Sequence, residues 1–501
     1  MSVRVYPVTK TEPVCEDYRV KINGREMELN SARVSAVPFN RRWPGHQRQI
    51  EQTELINFAS FATDGPFELE VIPKEPFDAA KLAVRPLDSG ITCTVTEAGT
   101  IWLQVPGAMY FTVEPYGRNR ALHIFADAMP EYDVDLNDPN VLYFGAGEHE
   151  VGLLHLKSGQ TVFLDEGAVV YACIHAKDAS DIRILGRGIL DNSHNKAQIL
   201  FEVNAEDNEA AVRNAKRLHT VQLEYCKNIR IDGITIRDSL VYNIRPIACQ
   251  DITVSGVKII GCWRYNSDGI DSHNCERMTV RDCFLRTYDD SICVKGFDYG
   301  QNEDDMLHNG VLYDRADDIH VSNVVIWNDW GKCLEIGAET RARTIDNILF
   351  ENCKIIHVTG PVLDCFNVDY ADVHGVTYRN MTVEYDDFLW PSRIQKNDRE
   401  IYAEVVAGCE SAVPPLIMSH VQEHPEYSAG GKKRGRNREL LFENIHLTGI
   451  GAPCVILFGW DAEHLISEVT VRDLFWNGKK IASFDEIQMV QNEFCRNIVL
   501  E

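Results

Sequence analysis

Asp268 sits in the string Asn-Ser-Asp-Gly-Ile-Asp-Ser at 266–272, and Asp289 and Asp290 follow 21 and 22 residues later in Tyr-Asp-Asp-Ser-Ile-Cys-Val-Lys-Gly. Three carboxylates brought together do acid–base chemistry, because crowded acids push one another's pKa values apart. One then keeps its proton as an acid while its neighbours stay ionised as bases. A parallel β-solenoid brings such residues together, since positions one coil apart stack on adjacent strands of one face. The spacing predicts that stacking. The setting also separates these acids from turn residues: Gly269 and Ile270 follow Asp268, and the apolar run Ile292, Cys293, Val294 follows the pair. Asp317, Asp318, Asp386 and Asp387 lack that setting and are read as turn residues, since Asp tolerates left-handed backbone.

Such acids need a rigid frame. From Val141 onward a strand–turn–strand unit recurs, near Ile229, Ile252, Met278, Ile319, Ile348, Val376, Ile445 and Val469, with early steps of 23, 26, 41, 29 and 28 residues. A unit of variable length that cannot bury its apolar edge alone is the signature of a solenoid, predicted over 136–501. The segments Phe297–Arg315 and Pro391–Arg438 read as inserted loops that wall a groove. Asn204–Leu218 is the one helical candidate, and Gly430–Arg438 reads as a charged, solvated loop tip. Residues 1–135 show short alternating runs (Tyr18–Ile22, Phe67–Ile72, Ile91–Val95, Ile101–Val105, Leu122–Phe125), which predict a β-sandwich. Its tryptophans, Trp43 and Trp102, are expected in the core, and Met129–Asn140 reads as the linker.

Composition narrows the partners. The chain has 501 residues, 45% of them hydrophobic, enough for a large core. Its formal charge of −25 argues against nucleic acid, whose phosphates demand clustered Lys and Arg. No run of 18 apolar residues predicts a membrane span. The N-terminal residues show no secretory pattern, and the 15 cysteines lie largely in strand-like runs, so reduced thiols and a cytoplasmic location are expected. No Cys or His spacing suggests zinc. The acidic stretch Asn302–Asp305 reads as a solvated charge run, so no metal and no cofactor is expected.

At three patches the chain resembles the right-handed β-helix glycosidases, the group holding the polygalacturonases of glycoside hydrolase family 28 and the dextranases of family 49. Asn266–Asp271 resembles that group's Asn-Thr-Asp-Gly-Ile-Asp, Tyr288–Gly296 its Asp-Asp-Cys block, and Trp330–Thr340 its Gly-His-Gly block. The resemblance implies an all-β fold, a right-handed parallel β-helix preceded by a β-sandwich. It implies an inverting hydrolase with Asp289 as general acid and with Asp268 and Asp290 holding and deprotonating the attacking water. Inversion suggests carboxylates roughly 6.5 to 9.5 Å apart.

Two departures stand out. Lys332 takes the place of the group's His, and no Arg-Ile-Lys appears; the nearest string is Arg393, Ile394, Gln395, Lys396. A neutral α-linked glycan of the dextranase or isopullulanase kind is therefore expected beside galacturonan. Asn266, Lys295, Lys332, Glu335, Asn243, Trp263 and Trp330 are the expected substrate contacts, with Tyr242 and Asp364 as further candidates and His273 as a turn residue. Asn266 is expected on the same strand face as Asp268. A polysaccharide lyase or epimerase and a noncatalytic carbohydrate-binding β-helix are the alternatives. Sugar identity, endo or exo action and oligomeric state stay open.

Overall fold

The computed structural model describes residues 2–36, 41–42, 50–195, 218–297, 306–385, 393–394, 404–405, 413–424, 428 and 431–501. Period-two burial makes the first unit. In Tyr18–Ile22 the side chains of Tyr18, Val20 and Ile22 are buried and Arg19 is exposed, so one face of the strand must be covered. It lies in a sheet ordered Arg25–Met27, Tyr18–Ile22, Phe67–Pro73, Ile101–Val105, Thr92–Val95. A second sheet runs Val3–Val5, Thr53–Thr63, Leu122–Ala128, Met109–Arg118, Ala83–Arg85, with Asn30–Ser35 also on Thr53–Thr63. All pairings are antiparallel except Leu122–Ala128 on Thr53–Thr63. Val20, Leu69 and Leu103 of the first sheet share a core with Phe61, Phe111 and Ile124 of the second, which makes the pair a sandwich. Trp102 is not in that core. Ile101, Leu103 and Val105 face inward, so the pleat turns Trp102 outward, where it is 37% exposed.

No strand lies between Ala128 and Val141, and a 30-stranded sheet, almost wholly parallel, then runs from Val141–Phe144 to Cys495–Leu500. Its register stacks one apolar side chain per coil: Ile182, Ile229, Ile252, Met278, Ile319, Ile348, Val376, Leu440, Val469 and Ile498 pair in succession. All are buried except Ile498. The residue before each rung turns the chain in left-handed backbone: Asp181, Asn228, Asp251, Arg277, Asp318, Asn347, Gly375, Glu439, Glu468 and Asn497 all have φ between 53° and 61°. Asp, Asn and Gly dominate this corner because they tolerate that conformation best. Asp318 takes this left-handed backbone, yet it and Asp317 both lie within the strand Arg315–Ser322 rather than in a turn between strands.

Two sequence expectations shift here. Ile445 is not the rung after Val376: Leu440 pairs with Val376, and Ile445 pairs with Met381 five residues further along the same strand. The strand Arg436–Gly449 also takes in Arg436–Arg438, where a loop tip was expected, because Arg436 and Arg438 both reach Asp372 on the neighbouring strand at 2.8 and 3.0 Å.

The second sheet's other face packs Val34, Phe58 and Phe125 on Phe284, Trp327 and Ile356 of the solenoid, which seats the sandwich on the coils. Among the described cysteines all thiols are free, most of them buried. No described helix is long and apolar enough to cross a membrane. Trp43, Asn204–Arg217, Asn302–Asp305, Asp386, Asp387 and Gly430 lie outside the described residues, as do 298–305 and most of 391–412 of the two predicted groove loops.

Candidate active site

Parallel pairing lays Ile270–His273, Ile292–Lys295, Leu334–Ala338 and Leu363–Asn367 side by side. The first residue of each, Ile270, Ile292, Leu334 or Leu363, enters the coil interior. The next must then face outward, and register aligns Asp271, Cys293, Glu335 and Asp364 in one row. Two residues on, His273 pairs with Lys295 and Gly337 with Phe366. Of these rows, Lys295 and Phe366 line a cleft of about 320 Å³, and Asp271, Cys293, Glu335 and Asp364 are buried.

The three acids sit at the lip of that cleft, in the turns that enter the strands. Gly269 donates its N–H to the Asp290 carbonyl at 2.8 Å, which places Asp268 and Asp290 side by side on adjacent coils. Oxygens of Asp268, Asp289 and Asp290 all lie within 4.8 Å of one another. These are single oxygens, one from each residue, a shorter measure than the separation of roughly 6.5 to 9.5 Å between the carboxyl groups of an inverting pair. Backbone donors hold them: Asn266 N–H and Asp290 N–H reach Asp289 at 3.3 and 3.1 Å, and Lys332 N–H reaches Asp290 at 2.8 Å. Gly331 allows this approach, since a Cβ there would stand 2.4 Å from the Asp289 carbonyl carbon.

Charge is concentrated beneath the lip. Lys295 reaches Asp271 at 3.0 Å, Glu339 at 3.5 Å and Asp268 at 3.8 Å. Lys332 pairs with Glu335 and, at 3.0 Å, with Asp364. Burial works against each ammonium, but Asp271 and Glu339 at Lys295, and Asp364 and Glu335 at Lys332, outweigh it and hold both well above the usual lysine pKa. Burial, then Asp271 and Asp289, pushes Asp268 well up; burial, then Asp290, does the same to Asp289. Asp271 is pushed up to about 6 by burial, against the pull of Lys295. Protons are thus retained in this cluster far above the ordinary aspartate range.

A family model described as glycosyl hydrolases family 28 matches residues 153–389, which span this cleft. Over that stretch the chain is similar to the β-helix hydrolases of family 28. A probable polygalacturonase of Vitis vinifera is 28% identical over 185 residues, covering 32% of this chain and 38% of that protein. The polygalacturonase of Persea americana is 23% identical over 201 residues, covering 32% and 42%. The matched stretch therefore spans about two fifths of these relatives. Among solved structures, Dex49A from Penicillium minioluteum aligns over 98% of this chain and 90% of its own at 13% identity and a TM-score of 0.59. A hyperthermoactive exopolygalacturonase from Thermotoga maritima aligns over 72% and 84% at 17% identity and a TM-score of 0.50. These two likenesses concern the fold.

The β-helix brings most of the expected residues to one place and moves others away. Asp268, Asp289, Asp290, Asn266, Lys295, Lys332, Trp330 and Tyr242 line the cleft. Asn266 does so from a left-handed loop (φ 57°), not from a strand shared with Asp268. Asn243 does not line a subsite: it is fully buried and ties Ser239 to the Asp268 carbonyl. Trp263 is no sugar platform either, because it is buried, donates to Asp238 and carries the Arg264 guanidinium 3.9 Å from its ring centroid. Glu335 and Asp364 lie under Lys332 with no exposure, so they hold the lysine rather than sugar hydroxyls. His273 belongs to a strand, its Nδ1 3.0 Å from the Gly296 carbonyl, not to a turn.

Sequence reading passed over Asp271, Glu339 and Phe366. The first two lie inside quoted motifs, and strand alternation from Ile270 would have turned Asp271 outward. The corner Thr359–Pro361, which also lines the cleft, carried no signal beyond Gly-Pro.

Proposed function

We propose that this chain is a glycoside hydrolase that cleaves an α-linked oligo- or polysaccharide with inversion. The observation that carries the reading is the cluster of Asp268, Asp289 and Asp290 at the lip of the cleft. Asp289 serves as general acid. Asp290 and burial favour its protonated form, and no cation lies within ion-pairing distance of it among the described residues. It gives its proton to the glycosidic oxygen as the bond from the anomeric carbon breaks. A water on the opposite face of the sugar attacks that carbon and passes its proton to the pair Asp268 and Asp290. Burial, Asp271 and Asp289 hold Asp268 up, and Lys295, 3.8 Å away, pulls it back toward the ionised form in which it accepts that proton.

The lyase alternative has less support. A lysine that serves as the base of a β-elimination must be neutral, and both lysines of the cleft are ion-paired and held protonated. The test is a panel of linkage-defined oligosaccharides, with product anomers followed by proton NMR. Release of the inverted anomer is expected. A retained anomer, an unsaturated product absorbing in the ultraviolet, or binding without cleavage across the panel contradicts the reading.

A further inference from the structure

We propose that the sugar seated over the three acids carries no carboxylate: the cleft takes an uncharged, hydroxyl-bearing glycan and discriminates against uronates. The inference rests on the hydrolase reading and narrows its substrate class. Among the described residues that line the cleft, Lys295 and Lys332 are the cationic side chains. A bound carboxylate needs such a partner, because its desolvation is otherwise uncompensated.

Neither lysine has an ammonium to offer. Lys295 is ringed by Asp271 Oδ1 at 3.0 Å, Glu339 Oε2 at 3.5 Å and Asp268 Oδ2 at 3.8 Å, and its side chain is 4% exposed. Three carboxylates within ion-pairing distance compete with any ligand for the charge of this one ammonium. Lys332 is held by Glu335 and by Asp364 Oδ2 at 3.0 Å, with the Phe366 ring centroid 4.5 Å away. Glu335 and Asp364 have no solvent exposure, and among the described residues Lys332 is the cation within ion-pairing distance of both. Together with Asp289 and Asp290, seven carboxyl groups among the described residues share two ammoniums and the more distant Arg245, and protonating two of the seven still leaves the site negative. An added uronate meets net repulsion. A neutral sugar meets carboxylate acceptors for its hydroxyls, and Tyr242, Trp330 and Phe366 for its apolar face.

The matched probes are α-1,4-linked galacturonate oligomers and the same oligomers with their carboxyls reduced to primary alcohols, which differ in charge but not in linkage. Binding to Asp289→Asn protein is measured by calorimetry, and hydrolysis by wild type, at matched ionic strength, with α-1,6-linked glucose oligomers as a second neutral series. At least a tenfold preference for a neutral series in binding is expected. Equal or tighter binding of the galacturonate form overturns the inference while leaving the hydrolase reading intact if that form is cleaved. Preferential binding of a neutral series without cleavage of any oligomer supports the inference and contradicts the hydrolase reading. Binding of neither form overturns the inference. A second arm tests the cause: Glu339→Gln releases Lys295, and Glu335→Gln with Asp364→Asn releases Lys332. Either change is expected to raise galacturonate affinity relative to the reduced oligomer about tenfold. An unmoved ratio in both folded variants overturns the charge argument.

Discussion

Asp289 and Asp268 stand in for each other in no role of the proposed chemistry, so each should be individually indispensable. Asp289→Asn and Asp268→Asn are expected to lower turnover by at least about a hundredfold, since each removes one proton transfer. Asp318→Asn, at a left-handed corner of the coil, should stay within about twofold; steady-state rates with a thermal melt on each variant check both statements. A pH profile separates the roles. Because burial and Asp290 push Asp289 well above the ordinary aspartate value, the acid stays protonated, and activity persists, above the pH where a free Asp ionises. The alkaline limb of the profile is then the titration of the acid cluster. An alkaline limb below pH 4 contradicts that assignment. Lys332 also changes meaning at this scale. The resemblance set it against a substrate-facing histidine, whereas its ammonium neutralises Glu335 and Asp364 and its backbone N–H orients Asp290.

The coil is the element that decides how precisely these groups are held, and its weak point is the corner. Ten successive rungs are each preceded by a residue in left-handed backbone, so a β-branched side chain there is strained. Asn347→Val, at φ 56° beside Ile348, is expected to cost about 1–2 kcal/mol. Asn347→Gly should be near neutral; denaturation midpoints of the two variants decide it. Strand spans were largely legible because they depend on neighbouring residues: Tyr18–Ile22 and Ile101–Val105 match the predicted runs. The pairing of the long strand Arg436–Gly449 was not. Leu440 and Ile445 are both buried and apolar, and local alternation cannot tell which of them continues the rung of Val376.

Across the whole molecule, a buried polar network links the sandwich to the solenoid. Asp127 accepts from Tyr110 at 2.6 Å, from Tyr6 at 3.2 Å and from Lys258 of the coils at 3.1 Å. Removing one partner leaves the other charge buried and unpaired, so Asp127→Asn is expected to destabilise by about 3–5 kcal/mol. Replacing the pair together, Asp127→Leu with Lys258→Met, should cost less than that single change, by the same argument. Burial lowers Lys258 to about 8. Its folded pKa lies below the unfolded value of about 10.4, so the unfolded chain binds more protons between the two. The stability this lysine contributes is present above pH 10.4 and lost as pH falls through 8. Melting wild type and Lys258→Met from pH 7 to 10.5 checks it, the wild type gaining on the variant as pH rises.

The amino-acid sequence by itself determined the repeat, the strand runs and the three acids, because each is written in neighbouring residues and in one coil-length interval. Only the tertiary structure decided which way the remaining candidates point. Asn243 and Trp263 were drawn toward the sugar by proximity to the motifs, yet the turn of the coil directs one to the Asp268 carbonyl and the other to Asp238. The charge available to a ligand was likewise undecided. Lys332 reads as a free cation in the chain, but Asp364 reaches it from the next coil, 32 residues on, and parallel register is what aligns Asp364 with Glu335. A lysine's formal charge is local. Whether any of it remains for a substrate depends on carboxylates that pairing across coils brings within 3.0 Å.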